Sequence, residues 1–431
     1  MSGADRAVPP GPERSGDTPA DAARVQRRTV WVLSFGQILG GLAFGATISL
    51  GAVLAAELSG DESFSGLATA AVTLGTALTA VPLAAIARRS GRRRSLTTGM
   101  AVALVGVLLV LVAVAVDSFP LLLAGFLVVG AGQAANLQSR FAATDLATDA
   151  TRGRDLSIVV WATTIGAVLG PNLTGPGEVL GDAIGMPPLT GPYLFTVVAQ
   201  VLAIVLYLVA MRPDPLLLAQ RVVASAPATA TRIVRPDSPV AARYAIFAVA
   251  AAHGTMVSVM AMTPVHLLHH GASLTVIGLT ISLHIAGMYA LSPVFGILAD
   301  RLGRVPTILV GQVLLAGALL TASFGAESTP AVTIALILLG LGWSATTVAG
   351  STLLTEASSE ERRTRRQGLS DFTMSIVGAV GAIAAGGVLA WIGYGGLAAV
   401  VLVLVAAATL LSPFGLRLTR RAETAPAEAE S

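Results

Sequence analysis

Twelve predominantly apolar stretches, each about long enough to cross a bilayer, run along this 431-residue chain. They cover roughly 29–57, 66–87, 95–116, 120–144, 155–174, 191–211, 241–268, 274–298, 305–325, 330–356, 367–390 and 394–416. Crossing the hydrocarbon core takes about 20 apolar residues as a helix. Inside lipid the backbone has to satisfy its own hydrogen bonds, so the runs predict helices. The alternating segments of a membrane barrel are not seen. Composition agrees, with 54% hydrophobic and 12% charged residues, where soluble domains carry roughly a quarter charged. The chain has no cysteine, which excludes disulfides, thiolate metal sites and cysteine nucleophiles.

Every basic side chain other than histidine is arginine, and the arginines fall on one side. With the N-terminus placed inside, Arg88, Arg89, Arg92, Arg93 and Arg94 follow the second run, and Arg152 and Arg154 follow the fourth. Arg212, Arg221, Arg232, Arg235 and Arg243 surround the central loop. Arg301 and Arg304 follow the eighth run, and Arg362, Arg363, Arg365 and Arg366 follow the tenth. The outer connections carry Asp61, Glu62, Asp117, Glu178, Asp182 and Glu327 and no arginine. The positive-inside rule then puts both termini in the cytoplasm. The expectation is an all-α membrane protein of twelve transmembrane helices in a cytoplasmic membrane. A net charge of +3 gives no reason to invoke nucleic acid.

The polar, proline- and arginine-bearing loop 212–240 divides the chain into a six-helix bundle over 29–211 and another over 241–416. Residues 1–28 and 417–431 read as disordered cytoplasmic tails. The inner loops at matching places in the halves, ARRSGRRRS (87–95) and ADRLGRVPT (299–307), both centre on Gly-Arg. The second, with Gly296, Asp300, Arg301, Gly303 and Arg304, closely resembles the G-x-x-x-D-R-x-G-R loop motif of the major facilitator superfamily. That resemblance spans about 29–416 and implies two six-helix bundles around a central cavity, working by alternating access. The resemblance implies that the motif's Asp and Arg pair with helix ends and each other across the half-interface and latch the inner face. The first loop departs from the pattern: Arg88 stands where the acid is expected.

All five histidines and four of the nine methionines lie between 253 and 288. Met256 and Met260 share a helix face, with His253 one turn earlier, and His284 and Met288 share a face of the next helix. Treating those two helices as antiparallel neighbours puts the four at one depth. Thioethers with imidazole, and no carboxylate or thiolate, suit Cu(I) better than harder cations. His266, His269 and His270 stand at the outer mouth, placed to gather the ion. The spacing resembles the paired M-x-x-x-M and H-x-x-x-M motifs of CcoA-type copper importers, in the CalT group of the superfamily. The resemblance implies copper uptake through Met256, Met260, His284 and Met288. The same group also includes importers of riboflavin.

Other polar residues keep a second reading open. Arg140, near an inner helix end, has Asp145, Asp371 and Glu356 as candidate partners, and Arg140, Asp145 and Asp371 form a possible gate. Trp161, Asn172, Gln200 and the amides Gln133 and Asn136 could line a cavity for an aromatic organic solute, with proton coupling. Gly166–Pro171 is similar to a G-x-x-x-G-P pattern of drug/proton antiporters. No Walker loop, zincin motif or dinucleotide fingerprint occurs, so the reading is a secondary transporter and not an enzyme. A non-transporting membrane metal sensor is a third alternative. The expected partners are the bilayer and a copper ion or small molecule, for a monomer without a resident cofactor.

Overall fold

The computed structural model describes residues 19–61, 64–225, 237–272 and 274–416. Within them the secondary structure is helical, with no strand among the described residues. The first half comprises α1 (Pro19–Ser59), α2 (Ser65–Ala115), α3 (Phe119–Ala142), α4 (Arg152–Asn172), α5 (Thr174–Ala183) and α6 (Tyr193–Ala210). A short helix, α7 (Pro215–Ser225), follows. The second half comprises α8 (Pro239–His269), α9 (Leu274–Tyr289), α10 (Ser292–Leu302), α11 (Arg304–Phe324), α12 (Thr329–Glu356), α13 (Glu360–Leu410) and α14 (Ser412–Gly415).

Among the described residues, eight helical stretches are long and apolar enough to cross a membrane, or nine when the α4–α5 pair, bent by 52°, is taken as one. Two of the connections are tight turns. The backbone leaves helical geometry at Gly91 (φ 87°) within α2 and at Gly393 (φ 74°) within α13, so α2 is two helices for the second and third apolar runs and α13 two for the last two. Each glycine turns the chain in a backbone region that a β-carbon disfavours. Gly303, between α10 and α11, repeats the device at φ 99°. The Gly-Arg centres of the two arginine loops are therefore built alike.

Two boundaries differ from the sequence reading. α1 starts at Pro19, inside the stretch expected to be a tail, and the expected central loop 212–240 contains α7. The remainder of the N-terminal tail (1–18), the C-terminal tail (417–431) and loop residues 226–236 lie outside the described residues.

Close backbone contact replaces bulky side chains at several helix crossings. A β-carbon on Gly41 of α1 would sit 3.3 Å from the Gly166 Cα of α4, and one on Gly340 of α12 would sit 2.5 Å from the His284 carbonyl oxygen of α9. Small residues let membrane helices approach where burial supplies little driving force between them. The halves meet along α4 with α10 and α2 with α13, and this seam positions the polar residues described next.

Candidate functional site

At the end of the molecule that carries the arginine loops, charged and polar groups join the halves. The Asp300 carboxylate of α10 accepts from the backbone N–H groups of Gly153 (2.9 Å) and Arg154 (2.8 Å) in the first turn of α4. A helix N-terminus favours a negative group there. The approach needs Gly296, where a β-carbon would lie 2.2 Å from Ser157 Oγ. Arg304 pairs with Glu356 (2.7 Å) and Asp300 (3.0 Å), and donates to the Ala299 and Asp149 carbonyls. Arg152 also reaches Glu356 across the halves at 3.0 Å. Arg301 is exposed.

The first-half loop works differently. Arg88 points outward, whereas Arg92 is fully buried. Arg92 donates to Asp145 at 2.8 and 3.1 Å and to Gln367 of α13 at 2.7 Å. Burial pushes the Asp145 carboxyl above its ordinary value, against the opposing pull of Arg92. The expected trio of Arg140, Asp145 and Asp371 is thus not one group. Of its three candidate partners Arg140 takes Asp371, at 2.5 Å between α3 and α13. Asp145 belongs to Arg92, and Glu356 to Arg152 and Arg304.

Beside the Arg140–Asp371 pair stands an aromatic group on the second half. Trp343 Nε1 of α12 donates to His253 Nδ1 of α8 at 3.1 Å. Tyr289 of α9 meets the Trp343 indole edge-on at 5.7 Å and packs with Leu156 and Val160 of α4 and Val348 of α12. His253 also packs on α13, the helix that carries Asp371: a β-carbon on Gly378 would lie 2.7 Å from its ring. Imidazole, phenol and indole therefore gather where α4, α8, α9, α12 and α13 converge, and the same α13 carries the Arg140–Asp371 pair.

Two similar bundles, a latched arginine loop in each and a polar core at their junction form a transporter's frame. The profile described as Major Facilitator Superfamily matches residues 33–271 and again 245–431. The chain belongs to this superfamily. Its members are membrane transporters and not enzymes. The uncharacterized MFS-type transporter YddS of Bacillus subtilis is 36% identical over 386 residues, covering 88% of each chain. The riboflavin transporter RfnT of Brucella anthropi is 30% identical over 361 residues, 82% of this chain and 86% of that protein. Among solved structures, the human organic anion transporter MFSD10 (TETRAN) aligns with TM-score 0.72 at 16% identity, over 90% of this chain and 99% of that one. At that identity the likeness speaks for the fold alone.

Within the superfamily frame, the methionine and histidine residues do not form the hairpin seam expected of them. α12 lies between α8 and α9, which touch each other only along a narrow strip. Met256 and Met288 belong to one buried apolar cluster of the second half, with Met260 and Met262 packed against it. His284 is fully buried and bonds through Nδ1 to the Leu336 carbonyl of α12 at 2.8 Å, while its Nε2 has no partner. Among the described residues no three His, Cys, Asp or Glu side chains converge as a metal site. A site here would rest on thioethers and the single nitrogen of His284.

The outer histidines do meet, around a cavity of about 720 Å³ bounded by the ends of α8 and α11 and the Gly386–Gly396 stretch of α13. His266 is bonded to the Ala326 carbonyl at 2.7 Å and stacked 4.3 Å from Tyr394. His270 bonds the His266 carbonyl at 2.9 Å and lies 3.4 Å from Glu327. His269 lines the same cavity. Both bonded rings serve helix ends and loops, so they are structural ties as well as mouth residues.

The sequence reading singled out neither Trp343 nor Tyr289. A tryptophan and a tyrosine within otherwise apolar helices are the signal that was available. The amides divide: Gln133, Asn136 and Gln200 share a small cavity in the first half, whereas Asn172 bonds its own helix at Val168. Trp161 stays 41% exposed.

Proposed function

We propose that this superfamily member is a secondary transporter that moves a small aromatic organic solute by alternating access. In this reading the chain crosses a cytoplasmic membrane twelve times with both termini inside, and its two bundles (29–211 and 241–416) rock about the polar junction. The observation that carries it is the group of Trp343, His253 and Tyr289 set against Arg140 and Asp371. Indole and phenol rings stack on a planar solute, and the imidazole and ion pair fix its polar edge. A riboflavin transporter among the relatives supports a flavin-like solute. Asp371 keeps one oxygen, Oδ2, without a partner, and its carboxyl is the group through which proton coupling would run.

The test is riboflavin uptake in a flavin-auxotrophic strain expressing this chain. Growth on micromolar riboflavin is expected, with Trp343→Ala lowering uptake about tenfold through lost burial and stacking. Absence of uptake, or full uptake by Trp343→Ala and Tyr289→Ala alike, removes this reading.

One observation favours copper as a second reading. With Nδ1 tied to a carbonyl, His284 Nε2 is left buried and unpartnered beside a cluster holding Met256 and Met288. Metal-bound histidines are commonly oriented by such a bond from the other nitrogen. In this reading copper is cargo and not a resident cofactor. Met256→Leu, His284→Ala and Met288→Leu are then expected to lose cellular copper accumulation while still reaching the membrane. Normal accumulation in all three eliminates it.

A further inference from the structure

Arginines in the second half and at the seam are largely paired. Arg304 has Asp300 and Glu356, Arg152 has Asp149 and Glu356, Arg362 and Arg366 share Asp237, and Arg363 has Glu360. Three arginines at the α1–α6 corner of the first half lack such compensation. Arg27 and Arg28 of α1, just before its apolar run begins at about 29, and Arg212 after α6 are all exposed. Among the described residues none of the three forms an ion pair with a carboxylate. Arg28 Nη1 donates to the Arg212 carbonyl at 3.2 Å, and Arg212 Nε donates to the Leu208 carbonyl at 3.1 Å. These bonds orient the guanidinium groups without neutralising them. The acid nearest in sequence, Asp214, is already occupied by the N–H groups of Arg93, Leu216 and Leu217.

A second observation lies along the same helix face. Arg27, Trp31 and Phe35 follow one another at intervals of four residues, so they share a stripe of α1. Trp31 is 68% and Phe35 54% exposed, with their rings 6.2 Å apart. On the neighbouring α6, Val209 is 66% exposed, one turn before Arg212. Cations stand at the end of the membrane-crossing segments, an indole comes next, and apolar side chains continue towards the middle. That order matches the headgroup, interface and acyl layers of a lipid.

We propose that Arg27, Arg28 and Arg212 bind the phosphate of an anionic phospholipid of the inner leaflet, whose chains lie on Trp31, Phe35 and Val209. Guanidinium presents paired N–H donors suited to phosphate oxygens. The apolar stripe selects a lipid over a soluble phosphate, because only a lipid covers both parts. The α1–α6 junction is thereby clamped at the end where the halves latch.

The experiment measures thermal unfolding of the purified full chain in neutral detergent during titration with phosphatidylglycerol, with phosphatidylcholine of the same chains, or with glycerol phosphate. Saturable stabilisation by phosphatidylglycerol alone is expected. A triple Arg27→Gln, Arg28→Gln, Arg212→Gln variant should weaken the apparent lipid affinity about a hundredfold, each surface arginine contributing several-fold. As a control, Arg243→Gln with Arg365→Gln removes two exposed charges from the second half and should leave the titration unchanged. Equal responses to the two lipids, an unaltered titration in the triple variant, or an equal loss in the control overturns the proposal. An equal response to glycerol phosphate also overturns it, in favour of a soluble-anion site. If the triple variant fails to fold, Trp31→Ala with Phe35→Ala must reduce the phosphatidylglycerol affinity for the proposal to stand.

Discussion

At the level of single residues, Arg140 and Asp371 depend on each other. Both side chains are almost wholly buried, at 4% and 0% exposure, and they meet at 2.5 Å. Arg140 Nε and Asp371 Oδ2 have no further partner. Such a pair has already given up its hydration, so removing one member strands a charge, at a cost of about 3–5 kcal/mol. Replacing both by apolar residues of similar volume removes the penalty with the pair. Asp371→Ala is therefore expected to lower the unfolding temperature of the purified protein sharply, and Arg140→Met with Asp371→Leu to recover most of it. Thermal denaturation in detergent checks this. A single variant as stable as the parent would show that water reaches Arg140 and that the pair is not sealed.

The same pair shows where sequence reasoning stops. Arg140 had three carboxylates at comparable positions near inner helix ends, and helix periodicity gives no basis for choosing among them. Packing decides: α13 brings Asp371 to α3, while the turn at Gly91 swings Arg92 inward to take Asp145. The Asp300 motif was legible because its residues lie within nine consecutive positions, 296–304. Direct α8–α9 contact is slight because neighbours in sequence need not be neighbours in a bundle, and α12 packs against both.

At the level of elements, Asp237 ties the start of α8 to the start of α13. It accepts from the Ser359 N–H at 3.1 Å and from Arg366 and Arg362 at 2.7–3.0 Å. Partial burial raises its pKa, but the Ser359 and Arg366 hydrogen bonds outweigh this and hold it below the ordinary carboxylate value. Because the folded value is depressed, its contribution to stability is full above the unfolded value, near pH 4. The contribution is lost as pH falls through the folded value. Asp237→Asn should therefore lower the unfolding temperature at pH 7, and the gap to the parent should close as pH drops below about 4. Melting curves from pH 3 to pH 8 read this out. A gap that is constant over that range would mean that the side-chain shape, and not its charge, holds the two helices.

At the level of the whole molecule, the contacts that join the halves at this end include two unlike fasteners. One is Asp300 of the second half on the N-terminus of α4, the other Arg92 of the first half on Gln367 of α13. Arg88 occupies the place that an aspartate would need for a matching capping contact, so the pseudo-symmetry of the two loops is broken in chemistry while kept in backbone. Each fastener adds free energy only to the conformer closed at this end, so in the alternating-access reading proposed above both must release. A carboxylate at a helix N-terminus contributes about 0.3–1 kcal/mol, up to about 2 when partly buried. Asp300→Asn should thus raise the population open at this end about fivefold. Gln367→Leu should act in the same direction through the lost hydrogen bond. The two contacts share no residue, so the effects should multiply to about twenty-five-fold in the double variant. The chain has no cysteine, so one introduced thiol reports without background. Ser370 is buried, with an unpartnered hydroxyl, beside the seam. In a Ser370→Cys background, the rate of maleimide labelling should rise with each substitution and multiply in the pair. If Asp300→Asn alone gives the full increase and Gln367→Leu adds nothing, closure depends on the second-half loop alone, and Arg92 is a packing residue of its own bundle.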